Sequence, residues 1–150
     1  MSEQQPQHQF QIQKIYLKDV SLEAPNAPHI FRQAWEPEIG LQLNNTAVDL
    51  GESTHEVVLT LTVTAKLQDK TAYIVEIQQA GIFTIGGYTQ EELGQLLGAY
   101  CPNLLFPFAR EAVSDLVTKG GFPPLLLAPI NFDLLYQEQL QKQREEQGTH

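Results

Sequence analysis

The sequence predicts an α+β fold in which an antiparallel sheet carries helices on one face. Runs of alternating apolar and polar residues fill the first half of the chain, up to about residue 86. Two of these runs are joined by a short polar turn, which is typical of a hairpin. Helical spacing and capping signals follow only after the strands. Because strands and helices do not alternate along the chain, a parallel sheet is not predicted.

The clearest strand signal is the segment EVVLTLTVTAK, in which every second residue is apolar. A turn at Gln68–Lys70 leads directly into TAYIVEIQQAGIFTI, and the two runs read as an antiparallel hairpin. Clean alternation indicates one covered and one wetter face. The residues predicted to face the core are Val57, Leu59, Leu61, Val63 and Ala65 in the first run, and Tyr73, Val75, Ile77, Phe83 and Ile85 in the second.

Two further strands are predicted before this hairpin. In FQIQKIYLKDV the apolar parity switches near Lys14, which indicates either a β-bulge or a strand that is buried on both faces for part of its length. The segment EIGLQLNN alternates without a break. It places Ile39, Leu41 and Leu43 on one face.

Helices are predicted in the second half. Thr89 and Glu92 form a capping-box pattern ahead of helically spaced leucines. Cys101-Pro102-Asn103 is expected to interrupt that helix, and a second helix is expected to have Pro107 in its first turn and to end before Gly120. Prolines exclude a helix from GGFPPLLLAP, and Asn131 is expected to cap a last helix.

The totals predict a single globular domain over residues 10–140, between a disordered tail (residues 1–9) and a flexible tail (residues 141–150). The net charge is −9, so nucleic acid is an improbable partner and a basic protein patch would be attracted. The N-terminus lacks the charged start and apolar run of a secretory signal. A single cysteine suits a reducing compartment, and a cytoplasmic location is expected.

Catalytic and metal-binding signals are weak. The four histidines are scattered and do not pair with each other or with cysteine at metal-ligand spacing, so no metal and no cofactor are expected. Cys101 reads best as a buried packing thiol. A small-ligand enzyme that uses Cys101 as a nucleophile is kept as a distant alternative. The histidines are His8, His29, His55 and His150.

Two features stand out from this background. The irregular segment Glu23–Pro37 holds Ile30, Phe31 and the only tryptophan, Trp35. Either these side chains pin the loop to its own core or they line a groove with the following strand, and pattern alone favours the first account. Ile74 and Glu76 share the polar parity of the hairpin. If the first strand lies beside the hairpin, Asp19 and Glu23 would join them in an acidic patch, although a solvated acidic face is the simpler reading.

The long motifs IQKIYLKDVSLEAPNAPHIF, EVVLTLTVTA, QQAGIF, GAYCPNLLFPFARE and GGFPPLLLAPINFDLLY resemble the SecB family of bacterial export chaperones, in the same order along the chain. The resemblance implies a four-stranded antiparallel sheet with helices, assembled as a dimer of dimers. It implies a holdase without ATPase activity that keeps precursor proteins unfolded and delivers them to the SecA motor. Asn44–His55 and the segment TQEELGQLLG match less well, which leaves the strength of tetramer association open.

The resemblance also implies two sites. The first is a hydrophobic client groove formed by the loop between the first two strands and its neighbours, and this reverses the preference for a pinned loop. The second is an acidic face for the zinc-binding C-terminal tail of SecA. A SecB-like chaperone dedicated to a toxin–antitoxin pair remains an alternative. The groove residues are Phe31, Trp35, Ile39, Leu41, Leu43, Phe132 and Tyr136; the SecA-binding residues are Asp19, Glu23, Ile74 and Glu76.

Overall fold

A four-stranded antiparallel sheet organises the computed structural model, which describes residues 7–148. The strand order is β1-β4-β3-β2, so the first two strands lie at opposite edges of the sheet. The segment between them must therefore cross three strand spacings, about 14 Å. The strands are β1 (Gln9–Glu23), β2 (Glu38–Gly51), β3 (Thr54–Leu67) and β4 (Lys70–Gly86).

The two faces of the sheet follow the alternation in the sequence. All ten residues predicted to face the core in the β3–β4 hairpin are buried. We call this the inner face, because the helices pack on it, and the opposite side the outer face. The turn at Gln68–Lys70 is confirmed, and Gln68 has a positive φ of 55°. The predicted α+β fold is confirmed.

The parity switch in β1 is a register shift. Between Ile12 and Lys14 the pairing with β4 slips by one residue, which confirms the predicted bulge. A second shift, between Leu17 and Asp19, was not predicted. It falls where the residues on both sides of the slip are exposed, so the hydrophobic pattern carries no signal for it.

The helices differ from the prediction at one junction. Thr89 and Glu92 form the expected capping box at the start of α1 (Gln90–Gln95). The chain then continues through a π-helical segment (Leu96–Tyr100) directly into α2 (Cys101–Lys119), so the predicted interruption at Cys101–Asn103 is wrong. The ring of Pro102 would clash with the carbonyl four residues earlier in a regular helix, and the wider π turn ahead of it relieves that conflict.

The position of Pro107 is also corrected. It lies inside α2 rather than in its first turn, while Gly120 caps the C-terminus as predicted. Asn131 caps α3 (Phe132–Gly148) as expected, since Leu134 N–H donates to Asn131 Oδ1 at 3.0 Å.

Both predicted tails are shorter than expected in the described residues. α3 continues through residues 141–148, because glutamine, glutamate, lysine and arginine are good helix formers even where they lack an apolar face. At the other end β1 begins at Gln9, and the His8 ring stacks on Tyr88 with centroids 4.3 Å apart. The remaining residues of the predicted tails, 1–6 and 149–150, lie outside the described residues.

Helix α2 covers the centre of the inner face but not its edges. It packs mainly on β4 and β3, and Leu105, Ala109, Val113 and Val117 are fully buried against them. Several inner-facing apolar side chains of the edge strands stay exposed as a result. On β1 these are Ile12, Leu17 and Val20; on β2 they are Ile39 and Leu41.

Candidate functional site

The crossing segment, residues 24–37, is held against the tip of the β3–β4 hairpin. Its short 3₁₀ turn (His29–Arg32) buries Ile30, which is 2% exposed. The Asn26 side-chain amide donates to the carbonyl of Thr71 at 2.8 Å. Ile30 thus pins this loop to the core.

Four aromatic rings form a cluster where the crossing segment meets the end of α2. Phe122 lies at its centre, with ring centroids 5.0 Å from Phe31, 5.6 Å from Trp35 and 4.9 Å from Tyr73. Trp35 also stacks on Tyr73 at 6.2 Å. Tyr73 and Phe122 are buried, Trp35 is half-buried, and Phe31 is 47% exposed. We call these four residues the aromatic cluster.

The aromatic cluster bears on both predicted roles of the loop, which were to pin itself to the core or to line a groove. Its buried half is core, and its exposed half presents aromatic surface at the end of the sheet. Gly121 allows this arrangement, since its φ is +91° and a Cβ there would lie 3.2 Å from the Phe31 ring. Phe122 was not singled out from the sequence. Its only signal was a lone aromatic residue between a glycine pair and a proline pair.

Replacing Phe122 by Ala is expected to lower the free energy of unfolding by about 3–4 kcal/mol, because the change opens a cavity beneath Trp35. The fluorescence emission of the folded variant should also shift to the red as water approaches Trp35, and the emission reports on this site because Trp35 is the only tryptophan. Leu126→Ala is the matched control, since Leu126 lies with Phe122 in the connection between α2 and α3. Leu126 is 81% exposed, so its loss should cost no more than about 0.5 kcal/mol. Urea unfolding followed by fluorescence measures both, and equal costs would contradict the cluster's role.

The inner side of strand β2 begins in the same row as the aromatic cluster, because Ile39 pairs with Ala65 and Ala65 pairs with Tyr73. Ile39, Leu41 and Leu43 pair with Ala65, Val63 and Leu61 of β3, so all six face inward. Yet Ile39 is 39% and Leu41 40% exposed, while Leu43 is half-buried. The helical layer meets β2 further along, where the Asn45 side-chain amide donates to the carbonyl of Leu97 at 3.1 Å. We call Ile39, Leu41 and Leu43 the β2 strip. The structure brings five of the seven predicted groove residues to one side of one edge.

Phe132 and Tyr136 lie at a different place. Phe132 is buried and packs edge-on against Phe106 of α2, with centroids 5.8 Å apart, so it is a core residue and not part of an open groove. Tyr136 is half-buried on α1 and the π-helical segment, where a Cβ on Gly94 would lie 2.6 Å from its hydroxyl oxygen. It lines a cavity of about 710 Å³ between α1 and α3. The helical spacing that singled out both residues reflects packing of α3.

The acidic residues come together on the outer face. Strand β1 lies beside β4, as the patch required, and pairs Glu23 with Ile74, Ser21 with Glu76 and Asp19 with Gln78. Residues paired across antiparallel strands share a face, so Asp19, Glu23, Ile74 and Glu76 all point outward. Thr62 of β3 donates to Glu76 at 3.1 Å. We call these four residues the acidic face.

No catalytic grouping accompanies these surfaces in the described residues. Cys101 is buried, and burial raises the pKa of its thiol to about 12, which is the reverse of what a nucleophile needs. Among residues 7–148 no three His, Cys, Asp or Glu side chains are grouped as metal ligands. In the same part of the chain, no helix combines the length and apolar character that crossing a membrane requires.

The fold and its two surfaces define a binding protein with an apolar strip on one side of a sheet and acidic groups on the other. Comparison with known proteins makes this specific. The sequence pattern of the family described as "Preprotein translocase subunit SecB" matches residues 3–143. The chain belongs to the SecB family of protein-export chaperones.

Two relatives illustrate the similarity. The Protein-export protein SecB of Nitrosococcus oceani is 65% identical over 150 residues, covering 99% of this chain and 91% of its own. That of Methylococcus capsulatus is 62% identical over 138 residues, covering 92% and 89%. Among solved structures, a Mycobacterium tuberculosis SecB-like chaperone in complex with a ChAD peptide from an antitoxin superposes with a TM-score of 0.68. It is 21% identical and covers 81% of this chain and 90% of its own, so it supports the fold alone.

Proposed function

We propose that this chain is an ATP-independent holdase that binds unfolded precursor proteins and passes them to SecA in the cytoplasm. The observation that carries the proposal is the β2 strip, in which Ile39 is 39% and Leu41 40% exposed on the core face of an edge strand, beside the half-buried Leu43. A folded domain ordinarily buries such residues, and a contiguous exposed patch is typical of a binding surface. No enzymatic step is included.

The client groove in this proposal comprises the β2 strip with Phe31 and Trp35. Aliphatic and aromatic side chains bind without directional demands, which suits clients of unrelated sequence. Burying one large side chain stabilises a complex by about 1.5–3 kcal/mol, whereas ordering an unfolded segment costs about 2–5 kcal/mol. Several contacts must therefore act together to hold one client.

The acidic face is the proposed docking surface for the zinc-binding tail of SecA. It lies on the other side of the sheet from the β2 strip, so client and motor can bind at the same time. The three carboxylates of Asp19, Glu23 and Glu76 attract a basic segment, and Ile74 among them offers an apolar contact.

The proposed assembly is a dimer of dimers. Inner-facing Ile12, Leu17 and Val20 of β1 are exposed, as is Tyr100, whose ring centroid lies 5.1 Å from that of Phe10 at the start of β1. A second copy placed against this edge would cover these residues. Linked copies also present several grooves to one client, which raises the effective concentration of the second contact.

Light scattering of the purified chain, alone and with an unfolded precursor and a zinc-loaded SecA tail peptide, tests the proposal. We expect a tetramer mass, a stable increase on adding precursor without nucleotide, and binding of the peptide to the client-loaded complex. A folded form of the same precursor is the control and should not bind. Failure to bind the unfolded precursor would overturn the holdase assignment.

A chaperone dedicated to a toxin–antitoxin pair is the second candidate. The mycobacterial SecB-like chaperone, which shares this fold, is in complex with an antitoxin peptide, and the same role is proposed for this chain only as the alternative to general export. Neighbouring genes for a toxin and an antitoxin would support this candidate, and their absence would favour general export.

A further inference from the structure

The second bulge of β1 decides where Asp19 points. Leu17 pairs with Gln79, which is buried on the inner face. In a regular strand the residue two positions later would share that face. Asp19 instead pairs with Gln78, whose side chain lies on the outer face with Glu76. The extra residue, Lys18, therefore moves Asp19, Ser21 and Glu23 together onto the outer face.

This bulge is held by a side-chain clasp across the neighbouring strand. The Lys18 ammonium lies 3.0 and 3.1 Å from the two carboxylate oxygens of Glu56. The Tyr16 hydroxyl donates to the same carboxylate. Glu56 belongs to β3, so both β1 side chains reach over β4 to meet it. We call Tyr16, Lys18 and Glu56 the clasp.

The clasp is closely packed for an outer face. Ala80 of β4 lies beneath it, paired with Tyr16, and is fully buried although it points outward. Val58, the next outer residue along β3 from Glu56, is only 8% exposed. The Tyr16 hydrogen bond, followed by that of Lys18, lowers the pKa of Glu56. Burial, followed by the Glu56 hydrogen bond, raises the pKa of Tyr16 to about 12. The carboxylate acceptor and the phenol donor thus keep these protonation states at neutral pH.

We propose that Glu56 is a positioning residue for the motor-binding surface: by clasping Tyr16 and Lys18 it holds the bulge that places Asp19 on the acidic face. It also keeps the Lys18 cation away from the Asp19 carboxylate, its neighbour in sequence. The inference rests on the proposed SecA docking surface and adds to it a residue outside the contact area. The opposite edge of the sheet needs no such device, because β2 pairs with β3 without a shift from Glu38 to Asp49.

Glu56→Gln and Tyr16→Phe test this inference, with the zinc-loaded SecA tail peptide as probe in low salt. Glu56→Gln should weaken binding about tenfold, the equivalent of about 1.4 kcal/mol, and Tyr16→Phe about threefold. Glu38→Gln is the matched control, since it removes one carboxylate from the outer face at the far edge strand and should change binding less than about twofold. Affinity for an unfolded precursor should be unchanged in all three variants.

Hydrogen exchange on the same variants gives a second measurement that does not need the peptide. The amides of residues 18–20 should exchange about tenfold faster in Glu56→Gln, with the β3–β4 hairpin unchanged. Equal effects of Glu56→Gln and Glu38→Gln on peptide binding would overturn the inference, as would equal acceleration of the hairpin. If the peptide did not bind to the wild-type protein, the proposed docking surface would be overturned instead. The hydrogen-exchange rates would still show whether the clasp holds the bulge.

Discussion

Replacing Ile39, Leu41 and Leu43 together by Ala is expected to weaken binding of unfolded precursors about 30- to 150-fold. Ile39 and Leu41 are exposed and Leu43 is half-buried in the free chain, so a client can bury the apolar surface that remains on all three. A combined loss of about 2–3 kcal/mol follows if each is partly buried in the complex. Titration calorimetry or fluorescence anisotropy with an unfolded precursor measures the change.

The chain offers a control on the same strand. Gln42→Ala with Asn44→Ala alters the outer side of β2, where these residues pair with Thr62 and Thr60. Client affinity should then stay within about threefold of wild type, since few apolar atoms are lost. Circular dichroism should match in all variants, because the three strip residues lie at the rim of the core. Equal affinities of the two multiple variants would show that clients bind elsewhere.

Reversing the charge of Asp19 and Glu76 to Lys is expected to weaken binding of the SecA tail peptide about 30- to 150-fold in low salt. Two favourable contacts become repulsive, at a cost of about 2–3 kcal/mol in total. The difference from wild type should shrink as ionic strength rises, because exposed charges are screened beyond about 8–10 Å at 0.1–0.15 M salt. Peptide affinity measured across a salt series tests both statements.

A charge-matched control distinguishes the effect of charges on the acidic face from the effect of the total charge of the protein. Glu111→Lys with Glu138→Lys makes the same change in total charge on exposed positions of α2 and α3. Peptide binding should change less than about threefold, and client binding should be spared in both variants. A comparable loss in the two variants would mean that overall charge, and not the acidic face, attracts the peptide.

Much of the fold could be predicted from periodicity. One face of the β3–β4 hairpin is buried along its length, so all ten core positions that the alternation predicted are buried, whereas Val58 and Ala80, buried on the other face, were not predicted. The caps at Thr89 and Asn131 were equally visible, since they depend on residues three or fewer positions away. The junction at Cys101–Asn103 was wrong for the same local reason: a proline usually ends a helix, and a π turn that accommodates it has no sequence pattern.

The acidic face and the proposed client groove were predicted with different success. The acidic face needed the pairing of β1 with β4 and also the second bulge of β1, which the hydrophobic pattern did not predict. In the groove, helical spacing cannot distinguish a residue that packs inward from one that lines an opening, and Phe132 proved to be core. Phe122 and Glu56 were missed because each acts through partners distant in sequence: Trp35 and Tyr73 for one, Tyr16 and Lys18 for the other.

The sequence by itself determined which side chains of β2, β3 and β4 share a face, where most elements begin and end, and, through its long motifs, the family. Those properties depend on the backbone period and on near neighbours, which a linear pattern records. Only the tertiary structure decided which apolar faces stay open. Helix α2 packs mainly on β3 and β4 and less on the two edges, so several inner side chains of β1 and β2 remain exposed. Which inner side chains a helix covers depends on the strand order and on the position of the helix, and the pattern of a single segment predicts neither.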